Sequence, residues 1–134
     1  MKNSFTFFFI NIFIFLFNIN IVYGDDFNFQ TSEILLLENG NIIQAKNGTQ
    51  VLTNDGIIIN SKEFEYDKIK NILIATGEVQ IVDSINQLTL SAPKISFDKN
   101  NEIITTDQKT IILVNNQYTI NSKNIIFNRK KMEV

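Results

Sequence analysis

The stretch from Ile59 to Lys68 reads INSKEFEYDK, and the same phrase returns as LSAPKISFDK from Leu90 and as INSKNIIFNR from Ile120. A more degenerate copy, FQTSEILLLENGNIIQA, starts at Phe29, so the four starts are spaced by 30, 31 and 30 residues. A period of this length predicts an array of similar units that bury a face only by stacking on their neighbours.

The spacing of apolar residues within each copy is that of strands. Side chains alternate, slip by one residue and alternate again, as in Leu90, Ala92, Ile95 and Phe97. A helix would need apolar residues at i, i+3, i+4 and i+7, and no long segment after the N-terminal apolar run offers them. A slip of one residue turns the following side chains outward unless the chain bends there. The slip therefore predicts a corner between two short strands, with Pro93 at the bend, where a missing N–H is tolerable.

Turn sequences and a second alternating segment complete each unit. ENGN, DKIKN and DKNNE are predicted turns, and Asn47 with Gly48 predicts a further Asn-Gly turn rather than a glycosylation site. One copy of the second segment alternates over Leu73, Ala75, Gly77, Val79 and Ile81, and the next over Ile104, Thr106, Ile111 and Leu113.

Together these patterns predict an all-β fold: a repeat-built β-jellyroll, or β-taco, of short bent strands in two facing sheets. Each repeat adds a layer to the stack. One inward ladder is predicted at Ile59, Leu90 and Ile120, and another at Tyr66, Phe97 and Phe127.

The first 24 residues predict export. MKNSFTFFFINIFIFLFNINIVYG has a charged start, an apolar run, and small or apolar residues ahead of Asp25, which is typical of a cleaved secretory signal. The run also approaches the roughly 20 residues that span a bilayer, so an uncleaved anchor is the alternative. Three asparagines interrupt the run and favour cleavage after Gly24. Residues 25–134 then form one domain, because they are too few for two cores.

Composition argues against several classes of function. The chain has no cysteine or histidine, which removes thiol nucleophiles, histidine bases and Cys/His zinc sites. Its net charge of −2 gives no electrostatic reason to expect nucleic acid. Glu63 and Glu65 share one strand face and are interpreted as a solvated surface. Asp98, Asn100 and Glu102 have oxygen spacing that suits calcium, but a plain turn explains them as well. The sequence thus predicts no catalytic site, no metal and no cofactor.

A family resemblance follows from the order of these motifs. A strand closing on Tyr-Asp or Phe-Asp-Lys, then NILIATGEVQI, then LTLSA, resembles the organic-solvent-tolerance-like (OstA-like) domain of bacterial lipopolysaccharide transport, from about Ile57 to Phe127. The resemblance implies a jellyroll that holds the acyl chains of lipopolysaccharide between its sheets. It also implies a periplasmic location, at or leading to the outer membrane. The chain stops at Val134 without the residues that an outer-membrane barrel requires, which leaves a small bridging component or a truncated translocon arm as alternatives.

The inward alternation and this resemblance together predict a lipid-binding groove. An uncharged apolar lining is what acyl chains need, since burial returns about 0.8 kcal/mol per CH₂. The predicted lining consists of Ile59, Phe64, Tyr66, Leu73, Val79, Leu90, Ile95, Phe97, Ile104, Ile120 and Phe127.

The last repeat predicts a docking edge. YTINSKNIIFN has no proline to guard its backbone, so this end is expected to pair with a strand of another OstA-like transport component or of a second copy. The residues expected there are Tyr118, Ile120, Ile125 and Phe127. Two other functions stay open: an exported structural β-repeat scaffold with a solid core, and a membrane-anchored lipopolysaccharide export component.

Overall fold

The computed structural model describes residues 26–131, which form ten strands and one short 3₁₀ turn, Glu38–Gly40. The predicted signal at residues 1–24 lies outside the described residues. Within residues 26–131, no helix is long and apolar enough to cross a membrane. The strands are β1 (Phe27–Leu37), β2 (Ile42–Thr53), β3 (Ile57–Ser61), β4 (Glu63–Asp67), β5 (Ile72–Asp83), β6 (Leu88–Asp98), β7 (Ile103–Thr106), β8 (Thr110–Val114), β9 (Tyr118–Ser122) and β10 (Ile125–Asn128).

The ten strands form one antiparallel sheet that is folded along a corner into two half-sheets. β2 shows the arrangement, because its residues 49–52 pair with β3 and its residues 42–45 pair with β4. The first half-sheet runs in the order β1, β2, β3, β5, β6, β8, β9, and the second in the order β1, β2, β4, β5, β6, β7, β10. The predicted all-β class of short bent strands is confirmed, with both facing layers supplied by one folded sheet.

The two half-sheets face each other through long apolar rows. Cross-strand pairing aligns Phe29, Val51, Ile59, Ile81, Leu90, Ile112 and Ile120 in the first half-sheet. It aligns Leu36, Ile43, Tyr66, Leu73, Phe97, Ile104 and Phe127 in the second. These rows contain both predicted ladders. The rows meet, since the Phe27 ring of the first half-sheet lies 4.7 Å from that of Tyr66 and 6.0 Å from that of Phe97.

Each strand turns the corner with a step that keeps its apolar side chains inward. β6 steps three residues between inward positions, from Ala92 to Ile95, and Pro93 lies at this bend as predicted. β5 runs the other way and steps four residues, from Ala75 to Val79, where its register with β6 shifts by one. Steps of three and four residues thus alternate from one strand to its neighbour. The one-residue slip in the sequence therefore marks the corner.

The phase predicted for β8 was wrong. Ile111 and Leu113 face outward, and the buried positions are Thr110 and Ile112. The chain takes the four-residue step at this corner, from buried Thr106 to buried Thr110, which shifts the alternation by one relative to the prediction.

The Asn-Gly turn predicted at Asn47 and Gly48 is instead a bulge inside β2. Both residues have positive φ, 66° and 79°, and they lie at the corner rather than at a hairpin end. The N–H of Gly48 donates to the carbonyl oxygen of Lys62 at the neighbouring bend, at 3.2 Å. Two consecutive residues with positive φ suit either a hairpin turn or a bulge. The Asn-Gly dipeptide therefore predicted a bend but not which of the two it is.

We expect the corner to depend on Gly77. Its φ is +84°, its carbonyl accepts from the N–H of Lys62 at 3.0 Å, and a Cβ there would lie 2.9 Å from the Lys62 Cβ. Gly56 has the same φ with open space around it. Gly56→Ala should therefore lower the unfolding free energy only by the cost of placing a side chain at positive φ, about 1 kcal/mol. Gly77→Ala should lose about 2 kcal/mol more through overpacking, as measured by urea unfolding. Equal losses would contradict a tightly packed corner.

Candidate functional site

The predicted groove is the interior between the half-sheets. Ten of its eleven predicted residues are buried there, and Ile120 is the exception at 38% exposure. The buried apolar side chains of the two faces form one core cluster. What the sequence predicts as a groove is therefore closed, and we refer to it as the cleft.

The cleft has a connected side and an unconnected side. At the corner the chain crosses from one half-sheet to the other, within β1, β2, β5 and β6 and between β3 and β4, β7 and β8, and β9 and β10. On the opposite side the turns of the two half-sheets only approach each other. We call this second side the mouth. The turns at Asp55 and Asp83 form its rim on the first half-sheet, and the turns at Asn71, Lys99 and Arg129 form its rim on the second.

A buried carboxylate lies in the inward row next to the mouth. Asp83 pairs with Ile57 on one side and Leu88 on the other, and is 2% exposed. The backbone N–H and side-chain amide of Asn86 donate to it at 3.1 and 2.8 Å. Asp83 is not among the residues predicted from the sequence, although the alternation through Val79 and Ile81 continues directly to position 83.

Arg129 joins the two rims. Its Nε and Nη2 atoms each lie 2.9 Å from Oδ2 of Asp83, and its Nη1 atom lies 2.9 Å from Oδ2 of Asp55. The same Nη1 atom contacts Glu102 on its own half-sheet. One guanidinium, itself almost fully buried, thereby holds two turns of the first half-sheet to the second.

Two further links cross the mouth. Lys99 lies 3.1 Å from Asp55 and also pairs with Glu102, while its Nζ atom lies 5.7 Å from the centre of the Phe97 ring. Farther along, the Asn71 amide donates to Asp26 at 2.7 Å. We call Asp55, Asp83, Lys99, Glu102 and Arg129 the clasp.

The repeat explains where the cations of the mouth lie. In the second half-sheet, β4, β6 and β10 each end in Asp or Asn, and the residue that follows is basic. The backbone N–H of that basic residue donates to a carbonyl oxygen of the preceding turn on the same rim. These bonds run from Lys68 to Asn41, from Lys99 to Asn71 and from Arg129 to Glu102, at 2.9, 3.0 and 3.0 Å. A signal was therefore present in the sequence, in the column Lys68, Lys99 and Arg129.

The clasp favours the ionised form of Asp83 and Asp55. Burial acts against the charge of Asp83, but the bonds from Asn86 and Arg129 outweigh it and lower the pKa of Asp83. Burial likewise opposes ionisation of Asp55, and its neighbours Thr53, Arg129 and Lys99 lower its pKa well below the usual range. The clasp sets three carboxylates against two cations, all of them in contact.

The half-sheets are displaced along the stack. Phe27 on the first strand of the first half-sheet lies over Tyr66 and Phe97, which belong to β4 and β6 of the second. Each half-sheet therefore overhangs at one end. At the β1 end of the second half-sheet, Ile34 and Leu36 are not covered by the first half-sheet and are 51% and 61% exposed. Their partners in the same rows, Ala45 and Ile43, are buried.

The first half-sheet overhangs at the other end. There Tyr118 of β9 is 65% exposed and Ile120 is partly exposed. The predicted docking set divides at this point: Tyr118 and Ile120 are on the surface, but the side chains of Ile125 and Phe127 are buried in the chain's own core. Only the backbone edge of β10 is available there, because its one partner among the described strands is β7.

The other polar residues considered from the sequence do not form a site. Glu63 and Glu65 lie exposed on the outer face, as predicted. Asp98 bonds to Asn101, whereas Glu102 turns to the clasp, so the two do not converge. Within residues 26–131, no group of acidic, histidine or cysteine residues has the geometry of a metal site.

Comparison of the chain with models of known protein families and with curated proteins found no match. The OstA-like resemblance stays a prediction from the motifs.

Asp83 should make the unfolding free energy depend on pH in the acid range. Because its pKa in the folded chain lies below 3.8, its stabilising effect is complete above that pH and is lost as the pH falls through the folded value. Asp83→Asn should lower the unfolding free energy at pH 7 by about 3 kcal/mol, the cost of breaking a buried pair, and should weaken its acid dependence. Glu63→Gln, on the exposed face, should change it by less than about 0.5 kcal/mol. Urea unfolding from pH 2 to 7 tests this, and equal effects of the two changes would contradict it.

Proposed function

We propose that this chain is a periplasmic lipopolysaccharide-binding transport protein that shields acyl chains between its half-sheets and bridges toward the outer membrane. The observation that carries the proposal is the pair of apolar rows, which extend through the whole stack and reach an exposed aliphatic side chain at each end, Leu36 and Ile120. The export-like N-terminus and the order of the motifs support it. No covalent step is required of the chain.

The construction of the cleft suits reversible filling by hydrocarbon. Backbone hydrogen bonds run between strands within each half-sheet, and apolar side-chain packing holds the two faces together. An acyl chain inserted between Phe97 and Phe27 replaces that packing with equivalent contacts while every strand keeps its partners. Each buried CH₂ then contributes about 0.8 kcal/mol.

A second candidate, an exported structural scaffold, is favoured by one observation. Leu73, Ile81, Leu90 and Phe97 are 0% exposed, so the core is complete without a ligand. Such a core would bind nothing. The two candidates differ in whether an inward side chain ever meets lipid.

Site-specific photo-crosslinking separates them. A photoreactive residue at inward Phe97 should capture lipopolysaccharide in cells, whereas one at outward Glu65 should not, because the two positions face opposite sides of the second half-sheet. Capture at neither position would favour the scaffold. Equal capture at both would contradict a specific cleft.

We also propose that the stack docks end to end on another domain of its kind. The uncovered first half-sheet at the β9 end and the uncovered second half-sheet at the β1 end are complementary, so each would supply the face that the other lacks. β1 and the β9–β10 pair both run from the first half-sheet to the second, and each pairs on one side only among the described strands. Docking of this kind would pair them in parallel and join the two clefts.

A second copy of the chain is the direct test of docking. Leu36→Asp and Tyr118→Asp each place a charge in the joint and should weaken self-association at least about tenfold, as for a central contact. Ile126→Asp is the matched control, because Ile126 is equally exposed but lies on the outer face of β10. Sedimentation equilibrium over a range of concentrations measures the effect. A monomer at every concentration, or an equal effect of the control, would contradict the joint.

A further inference from the structure

We propose that the clasp is a gate: the cleft admits acyl chains sideways only when Arg129 and Lys99 exchange their carboxylate partners for the anionic group of an amphiphile. The inference rests on the proposed function for its ligand, while the gate itself rests on geometry. The corner is closed by the continuous chain, so the mouth is the long side through which the half-sheets can part. The clasp spans that side.

Arg129 makes more contacts across the mouth than any other side chain of the clasp. Arg129 follows the last strand and reaches the turns at both Asp55 and Asp83. Glu102, on its own half-sheet, also holds Lys99, so the two cations and three carboxylates are linked in a single network. Loss of the arginine contacts releases the turn at Asp83 and leaves Lys99 as the remaining clasp contact to the turn at Asp55.

Stability alone does not require charged side chains at this position of the repeat. Positions equivalent to Asp83 at the ends of the corresponding strands are Thr53 and Val114, and Thr53 is buried without a charge. A buried ion network is weak support for stability, because apolar residues of similar volume often serve as well or better. Ionic contacts, unlike apolar ones, can be exchanged for those of a charged ligand. The charged residue at position 83 therefore indicates that the contacts of the clasp are exchanged for those of a charged ligand.

The chemistry beneath the clasp indicates the class of ligand. Phe97 lies directly under Lys99, and Tyr66 and Phe27 lie in the same layer. An amphiphile entering here would place hydrocarbon on these rings and its head group at the two cations. Arginine binds phosphate or carboxylate through paired N–H groups, so the fitting head group is a phosphate or carboxylate attached close to the acyl chains.

Distance measurements between spin labels test the gate directly. The chain lacks cysteine, so labels at Ile69→Cys and Ile85→Cys report on exposed turns of opposite rims. With dodecyl maltoside present, Arg129→Gln should lengthen the mean distance by about 4 Å, the contact distance of one hydrocarbon layer that enters the cleft. Lys70→Gln removes the same charge from the same rim but breaks only a bond to Asp67 of its own turn, and should change nothing. An unchanged distance in folded Arg129→Gln would overturn the gate.

Asp55→Asn provides a second, milder variant in case Arg129→Gln does not fold. It removes contacts to both Arg129 and Lys99, and Asp55 is the most exposed carboxylate of the clasp. The same lengthening is expected. Wild-type distances in a folded Asp55→Asn protein would overturn the gate in the same way.

Two amphiphiles of equal chain length test the exchange of partners. Dodecyl phosphate should lengthen the distance in the wild-type protein, whereas dodecyl maltoside should not. In Arg129→Gln both should bind, because the clasp no longer selects for an anion. Equal responses of the wild-type protein would overturn the role of the head group. Opening by the alkyl phosphate without any capture of lipopolysaccharide at Phe97 would leave the gate standing and contradict the proposed function alone.

Discussion

The structure depends on one constraint: at every crossing the chain must turn the corner without losing the inward phase of its side chains. Alternation has a period of two, so a bend that adds or removes one residue on only one strand would turn half of that strand's apolar residues to solvent. The chain meets the constraint by alternating steps, three residues at Pro93 and four at Gly77. Gly77 and Glu78 take positive φ values to absorb the extra residue. The facing rows, the cleft and the mouth exist because these steps alternate from strand to strand.

A sheet folded in this way has two unlike sides. The corner is held by covalent chain and backbone hydrogen bonds, so separating the half-sheets there would break secondary structure. At the mouth, the links found among residues 26–131 are side-chain contacts, and those that join Asp55 and Asp83 to Lys99 and Arg129 are ionic. Apolar packing would have closed the mouth more simply, and the row already supplies Ile57 and Leu88 on either side of Asp83. The carboxylate at this position makes closure specific to Arg129, because an unpaired buried charge is costly.

Much of this arrangement can be predicted from the sequence, and the failures have identifiable causes. The period and the slip placed Ile59, Leu90, Tyr66 and Phe97 in the correct rows because both are local patterns. The phase of Ile112 was missed, since the segment between Thr106 and Thr110 has no glycine to mark a four-residue step. The bond between Asp83 and Arg129 joins positions 46 residues apart in two different repeats, which no local pattern reports. The displacement of the half-sheets is a property of their mutual packing and is not encoded in alternation.

That displacement gives the cleft exits of opposite chemistry. Sideways, at the mouth, a hydrocarbon chain meets Asp83, Arg129 and Lys99, and must displace ionic contacts to leave. Along the stack it meets only the rows themselves, which continue beyond the covered core to Leu36 at one end and Ile120 at the other. Movement along the stack therefore exchanges one apolar contact for another, whereas sideways escape passes charges that hydrocarbon cannot solvate. For a chain that carries lipid, this difference favours transfer in the direction of the stack, from one domain to the next, over loss through the mouth.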